Sequence, residues 1–66
     1  MTHRIDARGL RCPWPAIRLS RALRDGMTPP IEIEADDPAA EGEIRLVANQ
    51  HGHAVEKIAT GHFRLP

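Results

Sequence analysis

Proline limits this chain more than any other residue. Pro13, Pro15, Pro29, Pro30 and Pro38 are spread through its 66 residues. Proline has no N–H and clashes with the preceding helical turn, so it fits a helix only in the first turn. Helix is therefore allowed from Pro13 to the residues before Pro29, and again from Pro38 onward.

The hydrophobic spacing uses both windows. Ala16, Leu19, Leu23 and Met27 form one stripe at helical period, which predicts a helix over 13–27. Arg18 and Arg21 fall on the opposite side, with Arg24 at the border. Asp25-Gly26 supplies a stop, and Pro29-Pro30 forbids continuation. Asp37-Pro38 predicts a second helix, with Asp37 as cap and Pro38 as first helical residue. It runs to about His51, with Ala40, Ile44, Val47 and His51 inward and Gly52 closing it. Leu46 falls off that stripe.

Between the helices, Ile31 to Ala35 alternates cleanly. Ile31, Ile33 and Ala35 face one way, and Glu32 and Glu34 face water. Residues 3–7 predict a short strand, followed by a loop punctuated by Gly9. Two further strands are predicted around Gly61, with Val55 and Ile58 on opposite faces. The order is β-α-β-α-β-β, and two helices on one face of a small mixed sheet bury both stripes most simply. This is an α/β (α+β) two-layer sandwich, expected as a single domain over 1–66. A chain this short buries only about 60% of its unfolded surface. Any chemistry is therefore expected at the surface, open to a partner.

Nine basic residues balance nine acidic ones, but not evenly along the chain. Arg4, Arg8, Arg11, Arg18, Arg21 and Arg24 lie in the first 24 positions, and acids dominate from Asp25 to Glu43. That predicts one positive face rather than a polyanion binder. With Trp14 and Phe63 the only aromatics, direct nucleic-acid binding is not expected. A lone cysteine points to a reducing compartment. The polar start (His3, Arg4, Asp6) does not read as a signal peptide, and no apolar run approaches a membrane span. A cytoplasmic protein is expected, and nothing in the sequence demands more than a monomer.

Cys12 sits where loop turns into helix. Placed at the N-cap, its sulfur would accept the Trp14 amide, while Pro13 and Pro15 stiffen the turn without orphaning donors. The helix N-terminus carries partial positive charge, and Arg8 and Arg11 lie just upstream. Together they predict a lowered thiol pKa and a better nucleophile. A persulfide anion would gain from the same field. A lone cysteine is more often a small buried hydrophobe, but a junction flanked by arginines is a poor place to bury one.

Asp6-Ala7-Arg8-Gly9-Leu10-Arg11-Cys12-Pro13-Trp14-Pro15 strongly resembles the signature of the TusA/SirA-type sulfur carriers, in which Cys-Pro-x-Pro opens a helix. Ala35-Asp36-Asp37-Pro38-Ala39 and Gly52-His53 extend the likeness over nearly the whole chain. The resemblance implies two helices on a four-stranded mixed sheet. It implies sulfane sulfur carried as a persulfide on Cys12 and handed on in tRNA thiolation, molybdenum-cofactor maturation or sulfur oxidation. It implies a sulfur donor protein, a cysteine desulfurase or a rhodanese, and a sulfur acceptor protein. No cofactor is implied. Such a protein is a covalent carrier more than a turnover enzyme. Pro13 and Pro15 fix the turn, and Gly9 permits the loop. Asp6 orders the loop rather than moving protons. Arg8, Arg11 and Arg18 hold the anion or dock a partner, in which case transfer slows as salt rises. Two features depart from the pattern. Trp14 stands where an acidic or aliphatic residue is common, either as a docking residue or folded back on its own domain. The last strand, ending at Pro66, is short, and would fray or leave an edge open to another chain.

Other chemistries fit less well. Cys12 and Arg18 have the Cys-x5-Arg spacing of a phosphatase loop, but Pro13 and Pro15 delete amides that would cradle phosphate. A thiol-based redox or regulatory binding module without sulfur transfer remains the alternative, though the chain holds no resolving cysteine. Protease chemistry lacks an oriented histidine base and a cleft. His3, His51, His53 and His62 show no recognised zinc spacing, so no metal site is expected.

Overall fold

The computed structural model describes residues 2–66. Its elements are β1 (His3–Asp6), α1 (Trp14–Arg24), β2 (Ile31–Glu34), α2 (Ala40–Gln50), β3 (Glu56–Ala59) and β4 (His62–Leu65). The strands form one mixed sheet in the order β1-β2-β4-β3. β1 runs parallel to β2, β4 antiparallel to β2, and β3 antiparallel to β4. Both helices cover one face, as the sequence predicts.

Strand register explains the two layers. Ile5 stands opposite Ile33, and Ile33 opposite Phe63, while Ile31 stands opposite Leu65. These side chains, with Leu19, Ile44 and the alanines Ala7, Ala35, Ala40 and Ala48, are buried as the core. Each fully buried Leu or Ile contributes roughly 1.5–3 kcal/mol relative to exposure. On the outer face Arg4 pairs with Glu32, Glu32 with Arg64, and Arg64 with Glu56. Charge alternates in sign along that row, as a solvated sheet face allows.

Four expectations need correction. α1 begins at Trp14, and Met27 lies beyond its end. The Met27 N–H donates to the Ala22 carbonyl (3.0 Å) and the Gly26 N–H to that of Leu23 (3.2 Å). This paired closure ends the helix at Arg24 and still packs Met27 on the core. α2 begins at Ala40, because Pro38 and Ala39 form a turn in front of it. His51 is exposed at the end of α2, and Ala48 takes the inner position assigned to it. β4 leaves no edge, since it lies between β2 and β3 and Leu65 is fully buried. The edges are β1 and β3. Val55 packs against the core and Ile58 is exposed, and the β3–β4 register shifts between Lys57 and Ala59.

Candidate functional site

Both helices start just beyond the carboxyl ends of the parallel strands β1 and β2, the end where open α/β sheets place their sites. Cys12 lies there, partly exposed, in the loop from β1 to α1.

Two successive acids hold this loop. Both Asp36 carboxylate oxygens accept the Gly9 N–H, at 3.0 and 3.1 Å. Asp37 Oδ2 accepts the Cys12 N–H at 2.8 Å, and its Oδ1 accepts the Ala39 N–H at 2.8 Å. The residue expected to cap α2 thus bridges the turn before α2 to the cysteine. These bonds hold the Asp37 carboxyl below the usual carboxylate range, the bond from Cys12 acting most strongly. Gly9 has φ +80, a conformation L side chains rarely adopt, which lets its N–H reach Asp36.

Cys12 is not the N-cap. Pro13 occupies that position with no side-chain cap, and the Trp14 N–H donates to the Arg11 carbonyl at 2.8 Å rather than to sulfur. The Ile17 N–H reaches the Pro13 carbonyl at 3.0 Å, which starts the helix. Pro15 is buried under the turn, and Pro13 faces outward. The Cys12–Pro13 peptide bond is cis.

The thiol pKa also runs opposite to expectation. Desolvation raises it, and the carboxylates of Glu43 and Asp37 raise it further. Arg8 is engaged elsewhere. Its Nε lies 2.9 Å from Asp6 Oδ1, its Nη2 3.1 Å from Oδ2, and its backbone N–H donates to Oδ1 at 3.1 Å. The Arg8 hydrogen bonds hold the Asp6 carboxyl down at about 2. Asp6 thus binds Arg8 through its backbone and its guanidinium within the loop. Arg18 donates Nη1 to the Asp6 carbonyl at 3.2 Å, tying α1 to the end of β1.

Trp14 does not fold back, being 59% exposed on the outer side of α1 beside Ile17. The histidines do not converge. His62 Nε2 lies 2.8 Å from Glu32 Oε1 on the far sheet face. Among the described residues no three His, Cys, Asp or Glu side chains group as a metal site would need. Among the same residues no helix is long and apolar enough to cross a membrane.

The family model described as "Sulfurtransferase TusA" matches residues 3–65. The chain belongs to the TusA family. A curated relative from Archaeoglobus fulgidus, described as "Putative sulfur carrier protein", is 38% identical over 64 residues. That alignment covers 91% of this chain and 83% of the relative. Within this TusA-family fold, Asp36, Asp37 and Glu43 are the site residues whose roles sequence reasoning missed. Asp36-Asp37-Pro38 was visible as a motif, but its bonds to Gly9 and Cys12 appear only once β1 lies against β2.

Proposed function

We propose that this protein is a sulfur carrier in which Cys12 accepts sulfane sulfur as a persulfide and passes it to a partner protein. The observation that carries this reading is the placement of Cys12. It is the chain's only thiol, it is partly exposed, and its backbone is held by Asp37 at the start of α1 in a TusA-family protein.

In loading, the Cys12 thiolate attacks the outer sulfur of a donor persulfide. The donor S–S bond breaks, its electron pair leaves on the donor cysteine, and Cys12 becomes the persulfide with no net redox change. In unloading, an acceptor thiolate attacks the outer sulfur and Cys12 leaves. The outer sulfur stands one S–S bond, about 2.05 Å, beyond Sγ. Because Cys12 is partly exposed, that extension can reach a partner.

A raised thiol pKa weakens the redox-sensor reading, which needs a thiolate open to oxidants, and it also leaves less thiolate for the loading attack. The carrier acts as a single domain over 1–66, in the cytoplasm, with a cysteine desulfurase or rhodanese as donor and an acceptor protein downstream.

Intact-mass spectrometry tests this after incubation with a cysteine desulfurase and cysteine, or with a rhodanese and thiosulfate. The expected result is a reductant-labile gain of one sulfur atom on wild type and none on Cys12→Ser. No gain from either donor, with the thiol free, would refute the carrier role.

A further inference from the structure

The two edges of the sheet differ. In β3 the register with β4 shifts between Lys57 and Ala59, the kind of irregularity that keeps an edge strand from adding a neighbour. β1 pairs regularly with β2 along its whole length. The His3 N–H donates to the Pro30 carbonyl at 3.0 Å, and the Ala7 N–H to the Glu34 carbonyl at 2.8 Å. Alternate residues thus turn their backbone to β2, and the N–H and C=O groups of Arg4 and Asp6 point away from the sheet. The Asp6 carbonyl accepts Arg18 Nη1 at 3.2 Å and has a second lone pair.

A second copy of the same strand fits these groups in one register. Antiparallel strands exchange both N–H···O bonds between directly opposed residues. Arg4 against Arg4 of the second copy, or Asp6 against its Asp6, would oppose like charges, which destabilises a pair. Arg4 against Asp6 of the second copy opposes unlike charges and centres the contact on Ile5. Ile5 then meets its own counterpart on the inner face, extending the row in which Ile5 stands opposite Ile33 and Ile33 opposite Phe63. The Asp6 side chain holds Arg8 and is still 63% exposed, open to a second guanidinium.

The helix side of this edge is self-complementary too. His3, Arg18, Arg21, Ala22, Asp25 and Met27 line a hollow of about 510 Å³ between β1 and α1. α1 runs opposite to β1, so Arg18 stands at the Asp6 end. Asp25 lies about 10 Å further along the helix, at the His3 end. A two-fold axis through the Ile5 pair reverses the second copy and brings Arg18 of one copy level with Asp25 of the other. A patch carrying both signs at opposite ends is what an isologous contact needs.

We propose that two copies of this chain pair antiparallel through β1, with Arg4 of each opposite Asp6 of the other. The two sheets become one, with all helices on the same side. Each Cys12 lies beyond the carboxyl end of its own β1, so the two sit at opposite ends of the seam and neither is covered. The pairing does not depend on the carrier role.

Sedimentation equilibrium under reducing conditions, on wild type and on Cys12→Ser, reads the dissociation constant free of disulfide-linked pairs. Both proteins should form the same reversible dimer. Arg4→Glu sets carboxylates against each other and should raise Kd at least tenfold. Arg4→Pro removes the outward N–H at a position where an edge strand tolerates proline, and should also raise it at least tenfold. Ile58→Lys, on the other edge, should leave Kd within twofold; a tenfold rise there places the contact on β3 and overturns the proposal. Amide exchange followed by NMR reads the register on wild type, without any variant. The Arg4 and Asp6 amides should exchange more slowly as protein concentration rises, and the Ile58 amide should not. Monomer mass alone at about 1 mM overturns the pairing. So does a dimer within twofold of wild-type affinity in both Arg4 variants, or exchange at Arg4 and Asp6 that ignores concentration.

Discussion

Gly61, in the turn between β3 and β4, has φ +72, and a Cβ there would lie 2.5 Å from the Ala35 carbonyl oxygen. The same approach lets the Ala35 N–H donate to the Gly61 carbonyl at 2.9 Å. Gly61→Ala therefore meets two costs. An L side chain in the left-handed region costs roughly 1–2 kcal/mol. Moving the turn aside loses a backbone hydrogen bond worth roughly 0.5–1.5 kcal/mol. The sum is roughly 1.5–3.5 kcal/mol. At about 4–8 °C per kcal/mol for a domain this size, Tm should fall by roughly 6–28 °C. Asp36 and Asp37 follow Ala35 directly, so the displaced segment also pulls on the tether of Cys12. Sulfur loading should slow even well below the new Tm. Urea unfolding followed by far-UV circular dichroism measures the first effect, and mass-detected loading the second. Gly42→Ala is the control. It lies in α2 with nothing within 4 Å of the added carbon and should gain up to about 1 kcal/mol. If Gly61→Ala were as stable as wild type, the close approach to Ala35 would not constrain the fold.

Two further predictions concern charge. Asp37 receives the Cys12 and Ala39 N–H groups on different oxygens; in Asp37→Asn one of those positions becomes an NH2 facing an N–H, and one of the carboxylates raising the Cys12 pKa is gone. The pH at which iodoacetamide reaches half its maximal rate should move down, while transfer from a protein donor slows; both rates rising together would argue against a tethering role. Asp6 has a lowered pKa, so its contribution to stability is complete above the unfolded value of about 3.9 and is lost as pH falls through about 2. The urea midpoint should drop over that window in wild type and drop less steeply in Asp6→Asn; parallel profiles would refute the Asp6–Arg8 clasp.

The fold was legible where local chemistry decides it. Proline positions and apolar spacing locate both helices, and Ile31, Ile33 and Ala35 face inward as their alternation requires. Gly52 closes α2 because that closure needs only the last turn and the residues after it. Sheet order was less accessible. Nothing within residues 62–66 says that β4 inserts between β2 and β3. The site divided in the same way. Cys12, Gly9 and Asp6 stand out from their neighbours in sequence, and the Asp6–Arg8 bonds are themselves local. The thiol pKa went the other way because desolvation in the folded chain raises it first and carboxylates from distant residues raise it further. Arg8, close in sequence, is bound by Asp6, while Glu43 and Asp37 arrive from α2 and the segment before it.

The tether of the cysteine loop also makes the thiol a reporter of folding. Gly9 and Asp36 are 27 positions apart, and Cys12 and Asp37 are 25 apart. Those bonds close only when β1 has joined β2, a non-local pairing that forms more slowly than the local β3–β4 hairpin. Until then Cys12 is an ordinary exposed cysteine, without the desolvation and carboxylates that raise its pKa in the finished protein. A thiol-labelling pulse during refolding therefore times the closing of the sheet, and an incompletely folded chain exposes a more reactive sulfur than the native one.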